Sequence, residues 1–175
     1  MKTLTIVAII LVFLAVVFCA PVQSTQQFLR IHIRADSNNP SDQEVKYAVK
    51  NAVVDYLAPY LTNATTKQKA MQIVQSHLDG IKQVCNQTLC NNGYTYKATV
   101  KLCKENFPDR TYNGLTLPQG VYDALIVELG RACGNNWWCV VYPPLCFVGE
   151  SDGTNAITFK SKLQEIINQW LSNQK

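Results

Sequence analysis

Residues 111–147 read TYNGLTLPQGVYDALIVELGRACGNNWWCVVYPPLCF. Positions 121–129 and 137–142 are short runs rich in β-branched and aromatic side chains, the composition of strands. Gly134-Asn135-Asn136 between them is turn chemistry, so two strands joined by a tight turn are expected. Adjacent Trp137 and Trp138 on one strand must face opposite sides, one toward the core and one toward the far face. Pro143-Pro144 ends strand pairing and stiffens the chain before Cys146. A Cys139–Cys146 bridge would close a short loop over residues 140–145. A purely structural corner and a binding surface are both open readings of this segment.

Upstream, residues 28–34 alternate, with Leu29, Ile31 and Ile33 opposed by Arg30, His32 and Arg34, the period of a half-buried strand. This reading leaves His32 on a polar surface. Asn39 before Pro40 fits a helix N-cap with proline in the first turn, and Ser41 with Glu44 fits a capping box instead. Val45, Ala48, Val49, Ala52, Val53, Tyr56, Leu57 and Tyr60 then recur at helical spacing, up to Pro59 near the end. Thr65 with Gln68 is a second capping signature. Behind it, Ala70, Ile73, Val74, His77, Leu78, Ile81 and Val84 form another helical stripe, with His77 as a core or boundary residue. Residues 94–103 alternate again, and Phe159, Leu163, Ile166, Ile167, Trp170 and Leu171 share a face of a terminal helix.

The order β-α-α-β-β-β-α predicts a single α+β domain. Its expected form is an antiparallel-rich four-stranded sheet with helices packed on one face, strands two to four forming a meander. The sheet face bearing Lys97, Lys101 and Arg34 is expected to be wet.

The 175 residues are 47% hydrophobic and 16% charged, which excludes a disordered chain. Residues 1–24 carry Lys2 as their only charge, then an apolar run from Ile6 to Ala20, with Val22 and Ser24 at cleavage spacing. This is the layout of a secretory signal peptide with a mature start near Thr25; an uncleaved anchor is the rival, and only that form would touch a membrane. Removing Lys2 lowers the net charge from +4 to +3, too small and dispersed for a nucleic-acid partner. Of seven cysteines, Cys19 belongs to the apolar run. The remaining six read as a disulfide framework in an exported chain. Cys139–Cys146 is the expected bridge, and Cys85–Cys90 a further candidate because it also closes a short loop. No cysteine pair has zinc-knuckle spacing and neither histidine lies near the cysteines, so no metal or other cofactor is expected. Nor is there a Gly-x-Ser-x-Gly, His-Glu-x-x-His or phosphate-cradling glycine loop, and the chain is not expected to be an enzyme.

Three blocks carry a resemblance. Asn135-Asn136-Trp137-Trp138-Cys139-Val140 followed by Pro143-Pro144-Leu145-Cys146-Phe147 resembles the signature of the stage II sporulation protein R family. Residues 33–37 with Pro40, Asp42 and Gln43 resemble its N-terminal strand and helix cap. Asn113-Gly114 with Pro118, Gly120, Tyr122, Ala124 and Leu125 resembles its middle block. The likeness runs from about Phe28 to Val148 within a domain spanning 25–175. Gln119 departs from the family's common alanine, and Cys85, Cys90, Cys103 and Cys133 look additional.

The resemblance implies a secreted signal of endospore-forming bacteria, made in the forespore and exported into the space between the forespore and mother-cell membranes. It further implies that the partner is a membrane-embedded aspartic-type protease of the mother cell, which cleaves the inactive sigma-E precursor. On the residues alone, the candidate receptor contact is Trp137 and Trp138 with the Pro143, Pro144 and Leu145 corner. Two other readings are an exported cell-wall carbohydrate-binding module using a tryptophan platform, and a cysteine-dependent hydrolase using His77 or His32.

Overall fold

The computed structural model describes residues 27–112, 115–147 and 167–172. The expected export segment 1–24 and the start of the expected terminal helix lie outside them; residues 167–172 are helical. The described elements begin with β1 (Leu29–Arg34), followed by helices α1 (Pro40–Leu61), α2 (Lys67–Ser76) and α3 (Leu78–Asn91). Strands β2 (Ala98–Phe107), β3 (Arg110–Tyr112), β4 (Leu115–Leu117), β5 (Gly120–Leu129) and β6 (Asn136–Tyr142) come next, and a 3-10 turn at Leu145–Phe147 ends the described core. No helix among the described residues is long and apolar enough to cross a membrane.

The domain is α+β, with a four-stranded sheet in the order β2-β5-β1-β6. β2 runs antiparallel to β5, β5 parallel to β1, and β1 antiparallel to β6. The expected meander is therefore wrong in one respect: β5 and β6 do not pair, because β1 lies between them. Gly134-Asn135-Asn136 is not a hairpin turn but the end of a loop that crosses the exit of β1. That crossing needs close backbone contact. The Gly134 N–H donates to the Ala35 carbonyl (2.9 Å) and the Cys133 N–H to the Asp36 carbonyl (3.1 Å). A Cβ on Gly134 would overlap the Ser37 carbonyl, so only glycine fits there.

The helices cover one face. Val45, Val49, Val53, Leu57 and Leu61 form a stripe along α1, joined by Ala70 and Val74 of α2 and Ile81, Cys85 and Leu89 of α3. They pack on Leu29, Ile31, Ile33, Leu125, Val127, Leu129 and Val141. The cap of α1 is Asn39 with Pro40 in the first turn, rather than the Ser41–Glu44 box. The cap of α2 is Thr66, one residue past the expected Thr65, and its side chain accepts from the Lys69 N–H (3.2 Å). The single helix expected over residues 65–84 breaks at His77 into α2 and α3.

The opposite face is not wet where β1 crosses it. Phe28, Phe107, Leu117, Tyr122, Ala124, Ile126 and Val140 form a second core there. Leu115 and Leu117 of the β3–β4 hairpin and Trp170 pack on it. Arg30 and His32, expected on a polar surface, are buried at 0% and 4% exposure. Lys97 and Lys101 are exposed as expected, and Arg34 is half-buried. Alternation shows which residues share a face, but most of the cover arrives from residues remote in sequence, Phe107 onward.

The Gly134 crossing gives a direct test. Gly134→Ala should lower stability by about 3 kcal/mol, near the top of the ordinary range for single substitutions. Gln119→Ala, at an exposed loop position, should change it by less than about 0.5 kcal/mol. Urea denaturation midpoints would check both.

Candidate partner-binding surface

β6 places Trp137 opposite Ile33 on the helix-covered face and Trp138 opposite His32 on the second face, as strand alternation requires. Neither indole is wholly core or wholly exposed; both are half-buried, because both faces are covered. The Lys50 ammonium lies over the Trp137 ring at 5.9 Å. Trp138 has the His32 ring at 5.3 Å and the Arg110 guanidinium at 4.5 Å.

The corner beyond β6 turns inward. Cys139 and Cys146 are disulfide-bonded, with Cα atoms 6.0 Å apart, and the 3-10 turn lies against α1. The Tyr142 hydroxyl donates to the Thr65 carbonyl (2.7 Å), tying the corner to the α1–α2 connection. Pro143 and Pro144 are consequently buried and Leu145 is half-buried. Of the five residues expected at a contact surface, the two prolines brace the corner instead. The other expected bridge is absent: Cys85 and Cys90 are both free. Five residues apart on α3, they point to different sides, Cys85 into the core and Cys90 outward. Burial pushes the Cys85 thiol up to about 12.

A polar assembly that the sequence reading missed sits where β1 ends. Asp36 receives the Arg131 backbone N–H (2.7 Å) and Arg131 Nη2 (2.9 Å). That guanidinium holds the Asp36 carboxyl below its ordinary range. Asn38 Oδ1 accepts the Asn135 N–H (2.6 Å), and Ser37 and Tyr96 hydroxyls donate to Asp42 at 2.5 and 2.9 Å. Lys46, 1% exposed, donates to Gln43 Oε1 (2.7 Å) and the Asn135 carbonyl (3.3 Å). Both acceptors are neutral, and burial lowers the Lys46 pKa. The blocks 33–43 and 135–140, far apart in sequence, meet here. By helical spacing Lys46 lies off the apolar stripe of α1, so no local pattern marks its burial.

From this assembly an aromatic and basic patch extends outward. The Lys46 ammonium, 3.3 Å from the Asn135 carbonyl, lies 4.7 Å from the Tyr47 ring. Tyr47 is 49% exposed. One turn along α1, Lys50 reaches Trp137. Tyr47, Lys50, Asn135 and Trp137 therefore form one continuous surface.

The chemistry of a nucleophile with an oriented base is not assembled among the described residues. His77 Nδ1 is 3.0 Å from the Tyr56 hydroxyl, and its ring stacks on Tyr60. His32 is buried among Phe107 and Trp138. An open groove of about 430 Å³ between α3 and Lys97 holds Cys90 beside Asp79, Lys82, Gln83, Asn86 and Gln87, with no histidine. No group of three or more His, Cys, Asp or Glu side chains could hold a metal among the described residues.

Fold and surface together define a small α+β domain with a disulfide-closed corner and a polar hub joining two distant sequence blocks. Its family follows from sequence comparison. The family model described as stage II sporulation protein R matches residues 25–152, and the chain belongs to that family. It is 33% identical over 133 residues to the Stage II sporulation protein R of Bacillus subtilis (strain 168), a match covering 76% of this chain and 59% of that relative. No solved structure matches.

The pKa directions give a signed expectation. His32 is lowered from 6.5, chiefly by burial, with the Asn136 side chain opposing. Its contribution is complete above 6.5 and declines as pH falls below 6.5 toward the folded value, where the unfolded chain binds the proton more readily. The Asp36 contribution is present above 3.8 and is lost at lower pH, as its depressed folded value is passed. Urea midpoints measured between about pH 8 and pH 3 should fall in two separate stages, and His32→Gln should flatten the upper one.

Proposed function

We propose that this protein is an exported sporulation signal that activates a membrane-embedded aspartic-type protease of the mother cell, leading to cleavage of the sigma-E precursor. Membership of the stage II sporulation protein R family over residues 25–152 carries the reading. The apolar segment up to Ala20 and the cleavage-like spacing at Val22 and Ser24 support export into the space between the two membranes. The chain acts as a ligand rather than as a hydrolase, consistent with histidines engaged in packing and hydrogen bonding. A sugar-platform reading has less support, because a cationic side chain lies over each β6 indole.

The receptor contact is centred on Trp137, with Tyr47 and Lys50 beside it. Tryptophan and tyrosine are among the residue types that dominate interface hot spots. Tyr47 is the most informative member because its exposure separates binding from folding.

The test is co-expression of the chain, the candidate protease and the sigma precursor in a non-sporulating host, reading precursor cleavage. The unaltered chain should produce cleavage only when all three are present. Tyr47→Ala should leave melting within about 0.5 kcal/mol of the parent and weaken signalling about tenfold or more. Normal signalling by Tyr47→Ala and by a folded Trp137→Ala would place the contact elsewhere. Absence of cleavage with the unaltered chain would overturn the functional reading. Intact-mass analysis of exported protein should show a start near Thr25.

A further inference from the structure

The second face of the sheet buries a charge that no described side chain neutralises. β1 places Arg30 and His32 two residues apart, so both project toward this face, and β6 sets Trp138 opposite His32. Arg30 is 0% exposed, and a guanidinium stays protonated throughout the range in which proteins fold. Its surroundings are aromatic: Phe107 at 4.2 Å, Tyr122 at 4.8 Å and Tyr112 at 5.7 Å from Cζ. Its Nη2 donates to the Tyr112 hydroxyl (2.7 Å), a neutral acceptor.

The same face shows what neutralisation looks like. Arg34 is paired with Glu128 (2.8 Å) and Glu105 (3.0 Å), and Lys101 with Glu128 (3.1 Å). These carboxylates are spent on Arg34 and Lys101. Arg30 has no anionic partner among the described residues.

Around Arg30 the unused hydrogen-bonding capacity is of one kind. Arg30 Nε and Nη1 and Trp138 Nε1 are buried without partners, and neither His32 ring nitrogen makes a well-aligned hydrogen bond, with the Asn136 side chain nearby to interact with it. Arginine and indole nitrogens are donors only, and a neutral imidazole supplies one more donor. Phe107 contacts both Arg30 and His32, so the set shares one aromatic wall. Cation–π contacts recover part of the cost of burying a guanidinium but supply no acceptor for its N–H groups. An oxyanion supplies both the acceptor atoms and the missing charge.

We propose that Arg30, His32 and Trp138 form a buried oxyanion site on the second face of the sheet, which takes a single carboxylate or phosphate group. The ligand is either a free small anion or a carboxylate side chain of a partner. Exchange goes through local opening of this face, where the β3–β4 strands pair with each other and not with the main sheet.

The test is thermal denaturation of the purified exported protein at constant pH and ionic strength. Sodium acetate, sodium phosphate and N-acetyl-glutamate amide would each be titrated against sodium chloride. The site requires a saturable rise in Tm of several degrees with at least one oxyanion and none with chloride. Arg30→Met should abolish the rise. Trp138→Phe, which keeps an aromatic ring but removes the indole N–H, should raise the half-saturating concentration about fivefold or more. It also covers the case in which Arg30→Met fails to fold. A half-saturating concentration for N-acetyl-glutamate amide at least tenfold below that of acetate would assign the site to a partner's side chain; similar values for the three anions would assign it to a free anion. No oxyanion-specific rise in the unaltered protein would overturn the proposal, leaving Arg30 as an aromatic-caged structural cation. So would a rise that persists in Arg30→Met, or one that is unchanged in Trp138→Phe when Arg30→Met does not fold.

Discussion

A strand bonded on both edges and covered on both faces dictates the surroundings of every side chain it carries, and β1 is such a strand. Its parallel partner β5 and antiparallel partner β6 satisfy its backbone. Ile31 and Ile33 require the helical layer, while Arg30 and His32 lie beneath the second core. The parallel pairing with β5 separates strands that a simple hairpin would have joined. The chain therefore travels through three helices and β2 before it can complete the sheet. The β5–β6 connection must then cross the end of β1, and the hub of Asp36, Asn38, Lys46, Arg131 and Asn135 is built from that crossing.

What the sequence revealed and what it hid divide along the same line. The α1 stripe was legible because i, i+4 repetition of Val45, Val49, Val53, Leu57 and Leu61 is a local property. The opposed directions of Trp137 and Trp138 were legible because strand alternation is local too. Pairing order was not, since nothing in Gly134-Asn135-Asn136 distinguishes a hairpin turn from a loop that crosses a third strand. The break at His77 escaped notice because the apolar stripe continues through it. Lys46 lies off the helical stripe by spacing, and the Asn135 carbonyl that it meets is remote in sequence. Pro143 and Pro144 were correctly seen as a stop to pairing, but residue type alone did not say which way the corner faces.

The distribution of charge is uneven in a way that composition hides. At one end of the second face, Arg34, Glu105, Glu128 and Lys101 form a compensated network. On the helical face, Asp123 joins Lys67 and Lys104, and these two cations lower its pKa despite the opposing effect of burial. Asp36 and Arg131 close the loop at the exit of β1. Arg30 and Lys46 differ: both are buried and donate to neutral acceptors, Arg30 in the most apolar part of its face. The free cysteines are equally dispersed: Cys85 in the core, Cys103 half-buried in the sheet, Cys90 and Cys133 exposed.

The two borders of the sheet are finished differently, and this gives the domain a polarity of assembly. At β6, the chain doubles back through the 3-10 turn, and Cys146 Sγ sits 2.9 Å from the Val140 nitrogen, where a further strand would otherwise dock. β2, ten residues long, has no strand beyond it among the described residues. It carries exposed Lys101 and Lys104 along its length and exposed Lys97 just before it. Growth of the sheet by strand addition is thus blocked by a covalent plug on one side and discouraged by positive charge on the other. A folded population would consequently resist pairing with copies of itself through β6.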